Sequence, residues 1–277
     1  MREYIVIPAL ALVISSCGAL EQSSDGTPSE NPSATVESRP DNSVPPNAIV
    51  IATALAHVIS TEAVHTVSLL GEPFDGRSLF MKSLYITVGK EGAAPDIAMK
   101  LPRDAGNGYE PRMYTVDFSG DGCDDVLMTA ATGGSGGIQN GLVCSFCGAS
   151  PCILFTTARP AIPRYKGAFE PNWKARLTVI ETGESSVIDL SGRKEWYRET
   201  GVYDDSGRLL KEVELWGGGY GWIEPVDIDG DGVFELKGIQ TAKGVANVDN
   251  IAHIESILRW DGGEWEIVTV TITPVEQ

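Results

Sequence analysis

The stretch Asp117–Val126, "DFSGDGCDDV", returns in close copy as "DIDGDGVFEL" at Asp227–Leu236. This duplication constrains the fold more than any other feature of the chain. A short loop carrying so many carboxylates repels itself unless a cation offsets the charge. In the first copy the oxygen-bearing side chains stand at loop positions 1, 3, 5 and 9, namely Asp117, Ser119, Asp121 and Asp125. In the second they are Asp227, Asp229, Asp231 and Glu235. Alternate side chains of a tight loop point toward a common centre. The backbone carbonyl at position 7, Cys123 or Val233, offers a further oxygen. Gly122 and Gly232 at position 6 allow the sharp bend. Hard oxygen donors without histidine suit Ca²⁺ rather than zinc or copper. Three carboxylates against four predict tighter binding at the second loop.

Both loops are followed at once by strand-like runs, "VLMTAA" and "LKGIQT". The spacing is not that of an EF-hand, whose bidentate Glu lies at position 12 between two helices. The context repeats as well, because "GYEPRMYTV" precedes the first loop and "GYGWIEPV" the second. The same rhythm occurs upstream in "HVISTEAVHTVSLLG", where His57 and His65 take positions 1 and 9 and no Gly stands at position 6. This reads as a degenerate copy that kept its strand and lost its metal. The spacing from 57 to 117 is about half that from 117 to 227, so a further unit without a loop is expected around 160–190. The fold class expected is mainly β, with antiparallel strands in about four repeated, β-propeller-like units over residues 48–277.

The strand–loop–strand arrangement resembles the Asp-rich Ca²⁺ loops of FG-GAP and VCBS-type repeats, which join strands within extracellular β-propeller blades. Together with "RETGVYDDSGRLLKE" and "PVDIDGDGVFELKGIQTAKG", it resembles VCBS-repeat proteins of the Firmicutes. That resemblance implies an exported, calcium-binding, mostly β protein with no assigned activity.

The N-terminus, "MREYIVIPALALVISSC", has an apolar run from Ile5 to Ile14, too short to span a bilayer and suited to a secretory signal. Ile14-Ser15-Ser16-Cys17 resembles a bacterial lipobox, which implies removal of residues 1–16 and lipidation of Cys17. Residues 17–47, rich in Ser, Pro, Asn and Glu, cannot bury enough surface to order themselves and read as a tether. A lipid-anchored protein on the extracytoplasmic face of the cell membrane follows. The formal net charge of -17 works against nucleic-acid binding and favours cations. Envelope glycan or protein is the partner expected. The apolar run from Ala48 is expected to enter the core.

Four further cysteines, Cys123, Cys144, Cys147 and Cys152, are an even number in an exported chain. Two disulfides are expected, with three connectivities open; free thiols are the main alternative, and the spacing of "CSFCGASPC" leaves zinc as a lesser one. Gly133–Gly137 matches G-x-S-x-G, but a strand follows it and His253 is the one later histidine. A Gly-rich hairpin accounts for it better than a nucleophile elbow. Trp216, Tyr220 and Trp222, and the pair Trp260 and Trp265, suggest cross-strand packing, with sugar stacking as the rival. The chain therefore reads as a calcium-stabilised envelope lipoprotein with a binding or scaffolding role and no catalytic constellation. A hydrolase or a glycan-binding module on the same domain is the alternative.

Overall fold

Alternation and continuous apolar runs along this chain sort its strands into half-buried and fully buried ones. In β2 (Ala63–Pro73) the side chains of His65, Val67 and Leu69 are buried while their neighbours stay half-exposed. In β6 (Asp125–Ala131) six consecutive residues are buried, as a strand covered on both faces requires. The computed structural model describes residues 43–158 and 162–276. The signal sequence expected over 1–16, Cys17 and the tether as far as residue 42 lie outside the described residues. Among the described residues, no helix is long and apolar enough to cross a membrane.

The fold is mainly β and antiparallel. Three successive four-stranded meanders carry the loops. The first contains β1 (Ile49–Ser60), β2, β3 (Phe80–Lys90) and β4 (Ile97–Lys100). The second contains β5 (Gly108–Val116), β6, β7 (Gln139–Ser145) and β8 (Cys152–Thr156). A two-residue pairing of β3 with β5 joins them into an eight-stranded sheet. A three-stranded sheet follows, β9 (Tyr165–Glu170), β10 (Lys174–Val179) and β11 (Ser185–Asp189), and then one short helix, α1 (Lys194–Glu199). The third meander contains β12 (Trp222–Val226), β13 (Glu235–Lys243), β14 (Asn250–Trp260) and β15 (Trp265–Pro274).

Three apolar clusters hold these sheets. Val67, Leu69 and Ile86 of the first meander meet Val126, Met128 and Leu142 of the second. Leu127, Val143 and Phe155, on the opposite face of the second, meet Leu236 and Leu258 of the third and Tyr220 just before it. The second meander is therefore the middle layer, and its continuous apolar runs follow from that position. Full burial of each such side chain contributes roughly 1.5–3 kcal/mol. The three-stranded sheet packs on the other end of the third meander through Phe169, Leu177, Ala242 and Ile254.

The unit expected around 160–190 is this three-stranded sheet, but it is set beside the series of loop-bearing meanders rather than within it. The run from Ala48 enters the core with one side only, through Ala56 and Val58 with Ile51 and Ala52 packed against them. β1 buries only Ala56 and Val58, while Ile49, Val50 and Leu55 are exposed. β1 ends the eight-stranded sheet, and an edge strand has one neighbour to cover it.

Candidate functional site

The two Asp-Gly loops join β5 to β6 and β12 to β13, and they are wired alike. Asp117 Oδ1 accepts the amide of Gly120 at 2.7 Å and its Oδ2 that of Gly122 at 2.8 Å. Asp227 accepts the amides of Gly230 and Gly232 at 2.7 and 3.2 Å. At position 5, Asp121 accepts from Cys123 N at 2.9 Å and Asp231 from Val233 N at 2.8 Å. These bonds need left-handed backbone at positions 4 and 6, where φ is 73° and 84° in the first loop and 76° and 89° in the second. A side chain is strained there, which explains the glycines.

The hairpin at 57 shares a pairing offset with the two loops. Position 0 pairs with position 9 in all three hairpins: Ala56 with His65, Val116 with Asp125, and Val226 with Glu235. The loops also join in a row through one repeated bond. The amide at position 8 donates to the carbonyl at position 1 of the preceding copy, Asp124 to His57 at 2.9 Å and Phe234 to Asp117 at 2.7 Å. No such loop stands at 57, because β1 and β2 pair as far as Ser60 and Ala63 and leave a two-residue turn.

The carboxylates differ in how they are offset. Asp227, Asp229 and Asp231 bring their oxygens within 4.8 Å of one another. Glu235, buried at the end of that loop, accepts Ile228 N at 3.2 Å and Arg259 Nε at 2.7 Å. The same guanidinium reaches Asp229 at 2.8 Å. The fourth carboxylate of the second loop is thus already paired, so the count of four overstates what is open to a metal. Val233 lies beside Gly120 of the neighbouring loop. In the first loop Asp125 is fully buried, and its Oδ2 accepts the amides of Phe118 and Ser119 at 3.0 and 2.9 Å. Its Oδ1 is buried with no hydrogen-bond partner. Burial pushes this carboxyl up to about 6, against the opposing pull of the Ser145 hydroxyl and the two amides. Asp121 lies beside the bridged sulfurs instead of gathering with Asp117 and Asp125.

Those sulfurs belong to Cys123 and Cys147, whose Cα atoms are 6.3 Å apart. The bridge ties the first loop to the turn between β7 and β8. Among the described residues this is the one bridge. Cys144 is a buried thiol on β7, pushed well above its ordinary pKa by burial and by the Asp125 charge, and Cys152 opens β8. Zinc loses its ligands, because two of the four sulfurs are bonded to each other.

A second feature lies on the outer face of the third meander, where two Gly-rich runs meet. Gln139 N donates to Tyr220 O at 2.7 Å and so brings the turn 132–138 against residues 217–221. The cavity between them measures about 560 Å³, and Ser135, Trp222, Thr241, Lys243, Asn247 and His253 are among its walls. Ser135 and His253 thus share a cleft, yet no acid lines it. Ser135 Oγ accepts from Asn247 Nδ2 at 2.9 Å, and His253 Nδ1 faces Thr241 Oγ1 at 3.1 Å. Ser135 stands between two strands, not at a strand-to-helix turn. The aromatic trio does not form a sugar platform, because Tyr220 is fully buried and bonded to Ser256 at 2.7 Å. Trp260 and Trp265 pair across their hairpin with centroids 5.7 Å apart, as cross-strand packing requires.

Comparison with known proteins places similarity in the C-terminal part of the chain. Residues 163–273 match the family model of the YybI C-terminal domain. The chain is 28% identical over 168 residues to the uncharacterized protein YybI of Bacillus subtilis (strain 168). That alignment covers 60% of this chain and 63% of YybI, so the chain spans less than two thirds of its relative. No solved structure matches. The VCBS and FG-GAP resemblance is overturned, since the family match is to the YybI C-terminal domain and to neither of those repeats. Asp-x-Asp-Gly-Asp-Gly spacing specifies loop chemistry, and loop chemistry is shared by unrelated chains. Lys243 and Asn247 were not singled out by the sequence. Their one signal was a lone lysine in the otherwise uncharged strand end "GIQTAK".

Proposed function

We propose that this chain is a lipid-anchored, extracytoplasmic envelope protein whose β domain is stabilised by Ca²⁺ and serves in binding or scaffolding. The meanders act as blades of a propeller-like stack, supported by their common register and by the bond from each loop to the preceding one. The observation that carries the calcium reading is the convergence of Asp227, Asp229 and Asp231 within 4.8 Å on a loop whose amides already orient Asp227 and Asp231. A second support is Asp125, a buried carboxylate that no cation among the described residues meets and that only two amides and the Ser145 hydroxyl offset. Ca²⁺ would supply charge neutralisation at both loops, with Asp117, Ser119, Asp121, Asp125 and the Cys123 carbonyl holding it at the first. Asp227, Asp229, Asp231 and the Val233 carbonyl would hold it at the second, with Glu235 released to it when Arg259 turns away.

The direct test is thermal unfolding with calcium and with EGTA. Calcium at 100 times its dissociation constant adds about 2.7 kcal/mol per site. That corresponds to roughly 5–10 °C for a domain of this size. An unchanged midpoint would sink the calcium reading. The anchor is tested separately, by whether Cys17→Ala releases the protein from the membrane fraction.

A further inference from the structure

Lys243 is 6% exposed and sits at the end of β13, between the cavity just described and a smaller neighbour of about 270 Å³. A buried ammonium is costly unless a counter-charge meets it. Its described partners are all neutral: the Gly136 carbonyl at 3.3 Å, Asn247 Oδ1 at 3.4 Å, and the Trp216 ring with its centroid at 5.8 Å. No aspartate or glutamate lines either cavity, in a chain whose net charge is -17. Asp249, close by in sequence, is committed elsewhere, to Arg193 at 2.6 Å and to the Tyr197 hydroxyl at 2.8 Å. The ammonium is also fixed in place. Lys243 and Trp216 exchange both backbone hydrogen bonds, at 2.7 and 2.9 Å, and the Trp216 indole is held by the Gly244 carbonyl at 2.6 Å.

We propose that this cavity binds a small organic carboxylate, with Lys243 supplying the missing counter-charge. The choice of anion follows from the charge count. One ammonium with neutral hydroxyl and amide groups, from Ser135, Thr241 and Asn250, balances one negative charge. A phosphate dianion would be left in excess. The body of the ligand would lie along Trp222, whose other side is covered by the Arg112 guanidinium at 5.1 Å from the ring centroid. The main cavity falls in the range of about 300–1,000 Å³ that small-molecule sites occupy. The ligand class deepens the binding role proposed above, but it does not depend on calcium, so chelation and carboxylate titration fail independently.

The test uses the full chain without added calcium, with D-glucuronate and N-acetylglycine as probes for an acidic sugar and an acyl amino acid. Glucose is the neutral control and inorganic phosphate the dianion. Binding is read by ligand-observed NMR up to about 20 mM, a range that reaches weak millimolar sites. At least one carboxylate is expected to bind saturably, glucose not at all, and phosphate more weakly. Lys243→Gln should weaken carboxylate binding by at least about tenfold. Because loss of a buried side chain can also unfold the protein, Asn247→Asp is the second variant. It places a carboxylate beside the ammonium, so it should raise the melting temperature and abolish carboxylate binding together. The proposal is overturned if neither carboxylate binds, if phosphate binds more tightly, or if Asn247→Asp folds and binds as before.

Discussion

The loops at 117–125 and 227–235 share spacing, strand register and amide wiring, yet they manage the same crowded charge by different means. The second meets its position-9 carboxylate with Arg259, a residue from the next strand of the same meander. The first buries that carboxylate without a cation and is stapled at position 7 by the Cys123–Cys147 bridge. In the hairpin at 57, His65 takes the position and Lys90 stands opposite it. The partner of position 9 is thus Lys90, Ser145 or Arg259 in the three meanders, two cations and one hydroxyl. The middle loop has the greatest need of a metal, because it alone has a buried acid without a basic partner. Four carboxylates do not make the second loop the stronger site when one arginine already holds two of them.

The largest effect that separates the loops is expected from the bridge. Cys123→Ser opens a closure of 24 residues, which by loop entropy costs about 3 kcal/mol. Denaturant melts should show the loss, and chelated protein should suffer it in full because calcium then no longer pins the loop. If the loss is the same with and without calcium, bridge and metal do not constrain the same loop. Next in size is Arg259→Met, which strands Glu235, 1% exposed, without its cation. Loss of a partner from a buried pair costs about 3–5 kcal/mol. The arginine itself is solvent-exposed, so screening makes the loss here much smaller than that. The deficit should shrink in calcium, since Glu235 is then free to take the ion. An equal deficit in both conditions would show that Glu235 does not reach the metal.

Asp125→Asn sharpens the contrast by changing sign. Asparagine keeps an oxygen for the Phe118 and Ser119 amides and removes a buried charge. In EGTA the variant should melt at or above the wild-type temperature. In calcium it should melt lower, by about 2–4 °C for each kcal/mol of binding lost. A variant that loses stability equally in both conditions would mean that Asp125 acts through its amides alone.

What the sequence revealed and concealed divides along the same line. Hairpin register was legible because Asp spacing and flanking strands are local, and the hairpin at 57 shares that offset in pairing Ala56 with His65. Arg259 was not legible as a loop partner, since it lies 24 residues beyond Glu235 and meets it only through the pairing of β13 with β14. The same holds for Lys243, whose surroundings come from residues 136, 216 and 247. Cysteine count predicted bridging, and the pairing needed the fold: Cys144 faces the core between meanders while Cys123 and Cys147 face each other. The aromatic run 216–222 was read as packing, and Tyr220 does turn inward onto Gly238, a strand glycine whose missing side chain leaves room for the ring.

The smallest effect tests whether side chains or backbone keep the hairpin at 57 from holding a metal. If side-chain loss were sufficient, His65→Asp would restore a position-9 ligand and begin to rebuild a third site. The backbone argues otherwise. Pairing of Ser60 with Ala63 closes the hairpin with a turn of two residues, which leaves no arc of alternating side chains to surround an ion. The glycines that permit left-handed backbone at positions 4 and 6 are Ser60 and Glu62 here. His65→Asp should therefore leave calcium stoichiometry at two, measured by equilibrium dialysis, and change stability by only about 1 kcal/mol, because Lys90 stands opposite to receive the new charge. A third equivalent of calcium would mean that the acidic side chain, rather than the turn, decides whether this hairpin holds a metal.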